Sequence, residues 1–141
     1  MERLLIVAVV VALAGVVAFI ANRRDPDAPV RTGYAVPDQL RRADFDRPES
    51  PWLVAVFTSA TCSSCAKVWE AARHLDSDEV VVQEIEVGQR RDLHERYQID
   101  AVPMVVITDA RGTTKESFLG PPSTSELWAT IAALRDAAEN A

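Results

Sequence analysis

The chain has little cysteine: two residues in 141, Cys62 and Cys65. Two cannot staple a disulfide-rich secreted scaffold or complete a four-cysteine zinc site. It also lacks a basic excess. Fifteen Lys and Arg stand against 21 Asp and Glu, a formal net charge of −6. That argues against a general nucleic-acid binder, whose footprint is basic. Five glycines and eight prolines are too few for a fibrous or low-complexity protein. No internal repeat is visible. Hydrophobic residues reach 48% and charged residues 26%, which excludes a disordered chain. The length is that of one ordinary domain.

Charge and apolar character are unevenly placed. Residues 1–42 carry six arginines and four acids, while residues 43–141 carry nine basic residues and 17 acids. From Leu4 to Ala21 the sequence LLIVAVVVALAGVVAFIA contains no charge. Eighteen helical residues rise about 27 Å, close to the roughly 30 Å bilayer core. Residues 1–21 are therefore expected to form one N-terminal transmembrane anchor at the cell membrane. Arg3 lies before the span, and Arg23, Arg24 and Arg31 lie after it. Positive charge thus leans the C-terminal body toward the cytoplasm, by a narrow margin. Residues 22–37, rich in proline and polar groups, read as a tether that buries no core. Residues 38–141 form the globular domain.

Within that domain, strands and helices alternate. Trp52–Thr58 is an apolar, β-branched run and reads as a buried strand. Ser63–Leu75 places Val68, Trp69, Ala72 and Leu75 at helical spacing. Glu79–Val87 is a second strand, Gln89–Tyr97 a short charged helix and Met104–Thr108 a third strand. Asp109–Gly112 is a turn, and Thr113–Leu119 pairs back as a hairpin. Ser123–Ala138 is a closing helix with a Ser/Thr cluster at its start. Leu40–Phe45 reads as a short extended piece. His74 and His94 are expected to be solvated on their helices, and Trp69 and Trp128 to line the core or a groove. The order predicts an α/β sandwich, with helices on both faces of the sheet.

The chemistry centres on Cys62-Ser63-Ser64-Cys65, directly after the first strand. Residues i and i+3 of a helix lie about 5–6 Å apart, within the reach of a disulfide. Unpaired N–H groups at the helix start favour a thiolate at Cys62, the expected nucleophile. Cys65, one turn on and more buried, is the expected resolving thiol. Other readings of the residues alone are a structural bridge, half of a metal site or two inert core residues. With no further cysteine, no metal site is expected, and no cofactor is called for.

Three segments in this order resemble the thioredoxin superfamily. WLVAVFTSATCSSC is similar to the family's strand and active-site helix start. Tyr97-Gln98-Ile99-Asp100-Ala101-Val102-Pro103 resembles the segment leading to its cis-proline. Phe118-Leu119-Gly120 resembles the segment before its last helix. The resemblance covers residues 50–138. It implies a three-layer thioredoxin-like α/β sandwich with a mixed central sheet. It also implies a cis Val102–Pro103 bond facing the cysteines. Thr61, Ser63, Ser64, Val102 and Pro103 would then form the substrate-binding rim around Cys62 and Cys65.

Three departures stand out. Thr61 occupies the place of the family's usual Trp, Val56 that of a buried acid, and Ser63-Ser64 that of Gly-Pro. Glu84, on the second strand, is a positional candidate for the missing acid, and the two serines can hydrogen-bond to Cys62. The expected protein is a membrane-tethered thiol–disulfide oxidoreductase. It would act as a monomer on protein thiols or disulfides, held to the membrane through residues 4–21 and without nucleic acid. The alternative is a redox-inactive binding module of the same fold that docks a membrane partner.

Overall fold

The computed structural model describes Met1, residues 5–7, 9–14 and 34–141. The chain divides into two units, residues 1–33 and 34–141. In the first, residues 5–7 and 9–14 are helical, and Leu5, Ile6, Val9 and Val10 are exposed. Among the described residues, no helix is long and apolar enough to cross a membrane. The rest of the expected Leu4–Ala21 span, and the tether as far as Gly33, lie outside the described residues.

The second unit is built on four strands. They are β1 (Trp52–Thr58), β2 (Val80–Glu86), β3 (Met104–Thr108) and β4 (Thr114–Leu119). The helices are α1 (Cys65–Ala72), α2 (Arg91–Arg96) and α3 (Thr124–Glu139). The strand order is β2-β1-β3-β4. β1 and β2 run parallel, in register from Trp52↔Val80 to Thr58↔Glu86. β3 is antiparallel to β1 and β4 antiparallel to β3, so the sheet is mixed. β1 is central, and every one of its residues is buried. That explains its unbroken apolar run, because both faces of the strand are covered.

The alternation of β1 feeds two cores. Leu53, Ala55 and Phe57 point to the face packed by Leu93 and Ile99, with Leu40 and Phe45 closing it. Val54 and Val56 point to the opposite face, packed by Val68 and Ala72 of α1 and by Leu127 and Ile131 of α3. Helices therefore cover both faces of the sheet, as the element order predicts.

Several local features set the frame. α3 opens on a capping box: Ser123 Oγ accepts from the Glu126 N–H at 3.2 Å, and Glu126 accepts from the Ser123 N–H at 2.8 Å. The β3–β4 turn needs glycine at position 112. Its φ is +82°, and a Cβ there would lie 1.8 Å from the Leu40 carbonyl oxygen. Leu40–Phe45 is not the expected extended piece. Arg42–Asp44 forms a 3-10 turn instead, after Gln39 bridges Thr113 of the hairpin. The turn carries buried Arg42 inward, where its guanidinium donates to the carbonyls of Ser50 at 2.8 Å and Asp109 at 3.3 Å.

Candidate active site

The end of β1 delivers the chain into a tight loop. Cys62 N–H donates to the Ser59 carbonyl at 3.1 Å, closing a turn over residues 59–62. The Ser59 and Thr61 hydroxyls lie 3.1 Å apart within it. α1 begins at Cys65, not at Ser63, so Cys62 stands in the turn that leads into the helix rather than on its first residue. Ser64 occupies the capping position without a side-chain cap bond. Its hydroxyl faces the other way, 3.7 Å from Cys62 Sγ.

Cys62 and Cys65 are joined as a disulfide, with their Cα atoms 5.4 Å apart. That separation is in the ordinary range for a bridge, so the backbone already holds the pair where it can open and close. The two sulfurs are not equivalent. Cys62 is half-buried, while Cys65 is 3% exposed beneath the start of α1. A partner sulfur can approach only the former. Thr61 and Ser63 are exposed on either side of Cys62.

The sheet brings the second segment to the same end. Phe57 pairs with Met104, so the residues just before β3 lie beside the residues just after β1. Val102–Pro103 is a cis peptide bond, as the family resemblance implies. Pro103 is buried and Val102 half-buried against the core. The Pro103 carbonyl accepts from the Gly120 N–H at 2.9 Å, which ties the end of β4 to this loop. Cys62, its flanking hydroxyls, Val102-Pro103 and Gly120 thus share one end of the sheet.

Other candidates resolve differently. Val56 is fully buried against Val68 and supplies no acid. Its register partner on β2 is Glu84. Glu84 is exposed and accepts from the hydroxyl of buried Thr58 at 2.8 Å. His94 is not solvated. It is 5% exposed, its Nε2–H donates to the Ile85 carbonyl at 2.8 Å, and its ring stands edge-on to Phe57. His74 is exposed beside Glu70, as expected. Trp69 packs on the α1–α3 core, but Trp128 is 48% exposed and belongs to no core. Among the described residues, no three His, Cys, Asp or Glu side chains gather as a metal site would require.

One residue escaped the sequence reading. Glu86, the last residue of β2, accepts from the Ala60 N–H at 3.1 Å and from the Gln89 N–H at 3.1 Å. The backbone donors at Gly88, Ala60 and Gln89, against a weaker desolvation cost, hold its carboxyl below the usual carboxylate range. No sequence signal marks it, since a strand-end Glu is ordinarily solvated.

No protein-family model matches this chain, and no curated protein matches it in sequence. Solved structures do match in shape. The germline-specific thioredoxin Deadhead of Drosophila melanogaster superposes with a TM-score of 0.54 at 24% identity, over 62% of this chain and 84% of that one. A point mutant of the thioredoxin of Halobacterium salinarum gives 0.56 at 23% identity, over 72% and 95%. A thioredoxin of Fasciola hepatica gives 0.52 at 22% identity, over 61% and 83%. The globular unit has the thioredoxin fold.

Proposed function

We propose that the chain is a thiol–disulfide oxidoreductase that acts on protein partners and is tethered to a membrane through residues 4–21. The observation that carries the redox reading is the Cys62–Cys65 pair itself. It sits at a strand-to-helix junction, 5.4 Å apart at Cα, with Cys62 half-buried and Cys65 buried. A structural bridge would have little reason for that asymmetry, and closing so short a loop constrains the unfolded chain only weakly.

In the reducing direction the Cys62 thiolate attacks one sulfur of a partner disulfide. The partner's S–S bond breaks, its other sulfur leaves as a thiolate, and a mixed disulfide forms. Cys65 then loses its proton to solvent or a nearby carboxylate and attacks Cys62 Sγ. The mixed bond breaks and the partner leaves with two thiols. The partner gains two electrons and the Cys62–Cys65 pair loses two, which a dithiol donor restores. The same steps in reverse oxidise a dithiol partner. Ser64, 3.7 Å from Cys62 Sγ, is placed to donate to the thiolate. Val102 offers its backbone to an extended partner segment beside the sulfurs, a form of strand addition.

Membrane attachment rests on the uncharged run from Leu4 to Ala21. Its length suits a bilayer, and a helix satisfies its own backbone there. The test of the redox reading is trapping. Cys65→Ser should accumulate a mixed disulfide with a partner, and Cys62→Ser should form none and reduce no disulfide. Full activity in Cys62→Ser would refute the mechanism. Unchanged partner capture by the Cys62→Ser/Cys65→Ser double variant would favour the binding-module alternative.

A further inference from the structure

Apart from the Cys62–Cys65 bridge itself, the loop that carries Cys62 is held to the fold by very little. Its own contacts are internal: Cys62 N–H to the Ser59 carbonyl, Thr61 N–H to the Ser59 hydroxyl, and the Ser59–Thr61 hydroxyl pair. Ser59 is half-buried, and Ala60 and Thr61 are exposed, so no side chain pins the loop into the core. Among the described residues, one hydrogen bond ties the loop to the neighbouring strand. It runs from the Ala60 N–H to Glu86 Oε1, across 26 residues of sequence. Glu86 is itself fixed, because its other oxygen accepts from Gln89 and its backbone pairs with Thr58.

We infer that Glu86 is a positioning residue for the cysteine pair, holding Cys62 within bonding reach of Cys65 through the Ala60 N–H. This rests on the redox reading above and names the group that tunes that same site. Cys65 is fixed by α1 and by burial; Cys62 depends on the loop. A pinned loop keeps the Cys62 thiol at high effective concentration beside Cys65 and favours the closed disulfide. An unpinned loop spends more time with the sulfurs apart, so the bridge becomes easier to reduce. Glu86 reaches Cys62 only through backbone, and it takes no part in sulfur exchange.

The test compares Glu86→Ala with Glu86→Gln in the full chain, since the glutamine carbonyl can still accept from Ala60. The dithiol–disulfide equilibrium is titrated against a dithiothreitol ratio series. Glu86→Ala should shift the equilibrium constant at least tenfold toward the dithiol, which is 29.6 mV for a two-electron couple. Glu86→Gln, which keeps one acceptor oxygen for the two N–H donors, should shift it less than Glu86→Ala does. Unchanged titration in a folded Glu86→Ala overturns the inference, and so does a shift in Glu86→Gln as large as in Glu86→Ala. Amide exchange in the wild type gives an independent check that needs no variant. The Ala60 N–H should exchange at least tenfold more slowly than an unbonded amide, and an unprotected Ala60 also overturns the inference. If the wild-type pair does not titrate, the redox reading fails, and Ala60 exchange still decides whether Glu86 holds the loop.

Discussion

Replacing His94 with alanine removes a buried donor from beneath the active-site strand. His94 is 5% exposed, donates to the Ile85 carbonyl at 2.8 Å, and sets its ring edge against Phe57 at a centroid distance of 5.3 Å. Leaving a buried carbonyl without its donor costs about 1–3 kcal/mol. Losing the ring contact costs about 0.5–1.5 kcal/mol more. Alanine is a better helix former and returns a few tenths of that. The expected loss is about 1–4 kcal/mol, or roughly 5–20 °C in Tm for a unit of this size. Urea unfolding followed by Trp fluorescence reads it, since Trp52 and Trp69 pack in the α1–α3 core. His94→Gln, which can still donate, should recover about 1 kcal/mol. A His94→Ala variant within about 0.5 kcal/mol of the wild type would rule out this role for the ring. So would a His94→Gln variant as unstable as the alanine one.

Asp44 gives a pH-dependent prediction. Burial opposes its ionisation, but hydrogen bonds from Arg96 and Tyr97, each 2.6 Å, outweigh that and hold its carboxyl below the usual value. A carboxyl depressed in the folded state adds stability above its unfolded value, about 3.9, and loses it as pH falls through the folded value. Asp44→Asn should therefore cost about 1 kcal/mol at pH 7 and almost nothing near pH 2, as read by urea midpoints across that range. Gly112→Ala places a Cβ 1.8 Å from the Leu40 carbonyl oxygen at a φ of +82°, so it should cost roughly 3 kcal/mol or more by thermal unfolding. Removing residues 1–33 should release the protein from sedimented membranes while residues 34–141 still exchange disulfides. A truncated chain that stays in the membrane fraction would contradict the tether.

Much of the scaffold could be read from residue order. β1 and β3 run over the expected residues because each is an unbroken apolar run that ends at a polar residue, Ser59 or Asp109. The Asp109–Gly112 turn marks the hairpin, and the Ser/Thr cluster at Ser123 marks the start of α3. What could not be read depends on contacts between distant segments. His94 sits among Arg91, Asp92, Glu95 and Arg96, so its local sequence looks solvated. Only the packing of α2 against Phe57 and Ile85 turns the ring inward. Leu40–Phe45 bends because buried Arg42 finds carbonyls on two other loops, which no local pattern announces. The cysteine pair itself was plain from spacing and context. Glu86 was not, because its partner is a backbone N–H, and such a bond leaves no trace in side-chain identity.

The most direct test of thiol–disulfide exchange by this protein is a redox titration of Cys62 and Cys65 in the wild-type chain. Thiol trapping and mass would report the fraction bridged across a dithiothreitol series. A reversible two-electron transition is expected, with oxidation and reduction tracing the same curve. A pair that stayed reduced, or that never re-formed the bridge once opened, would contradict it.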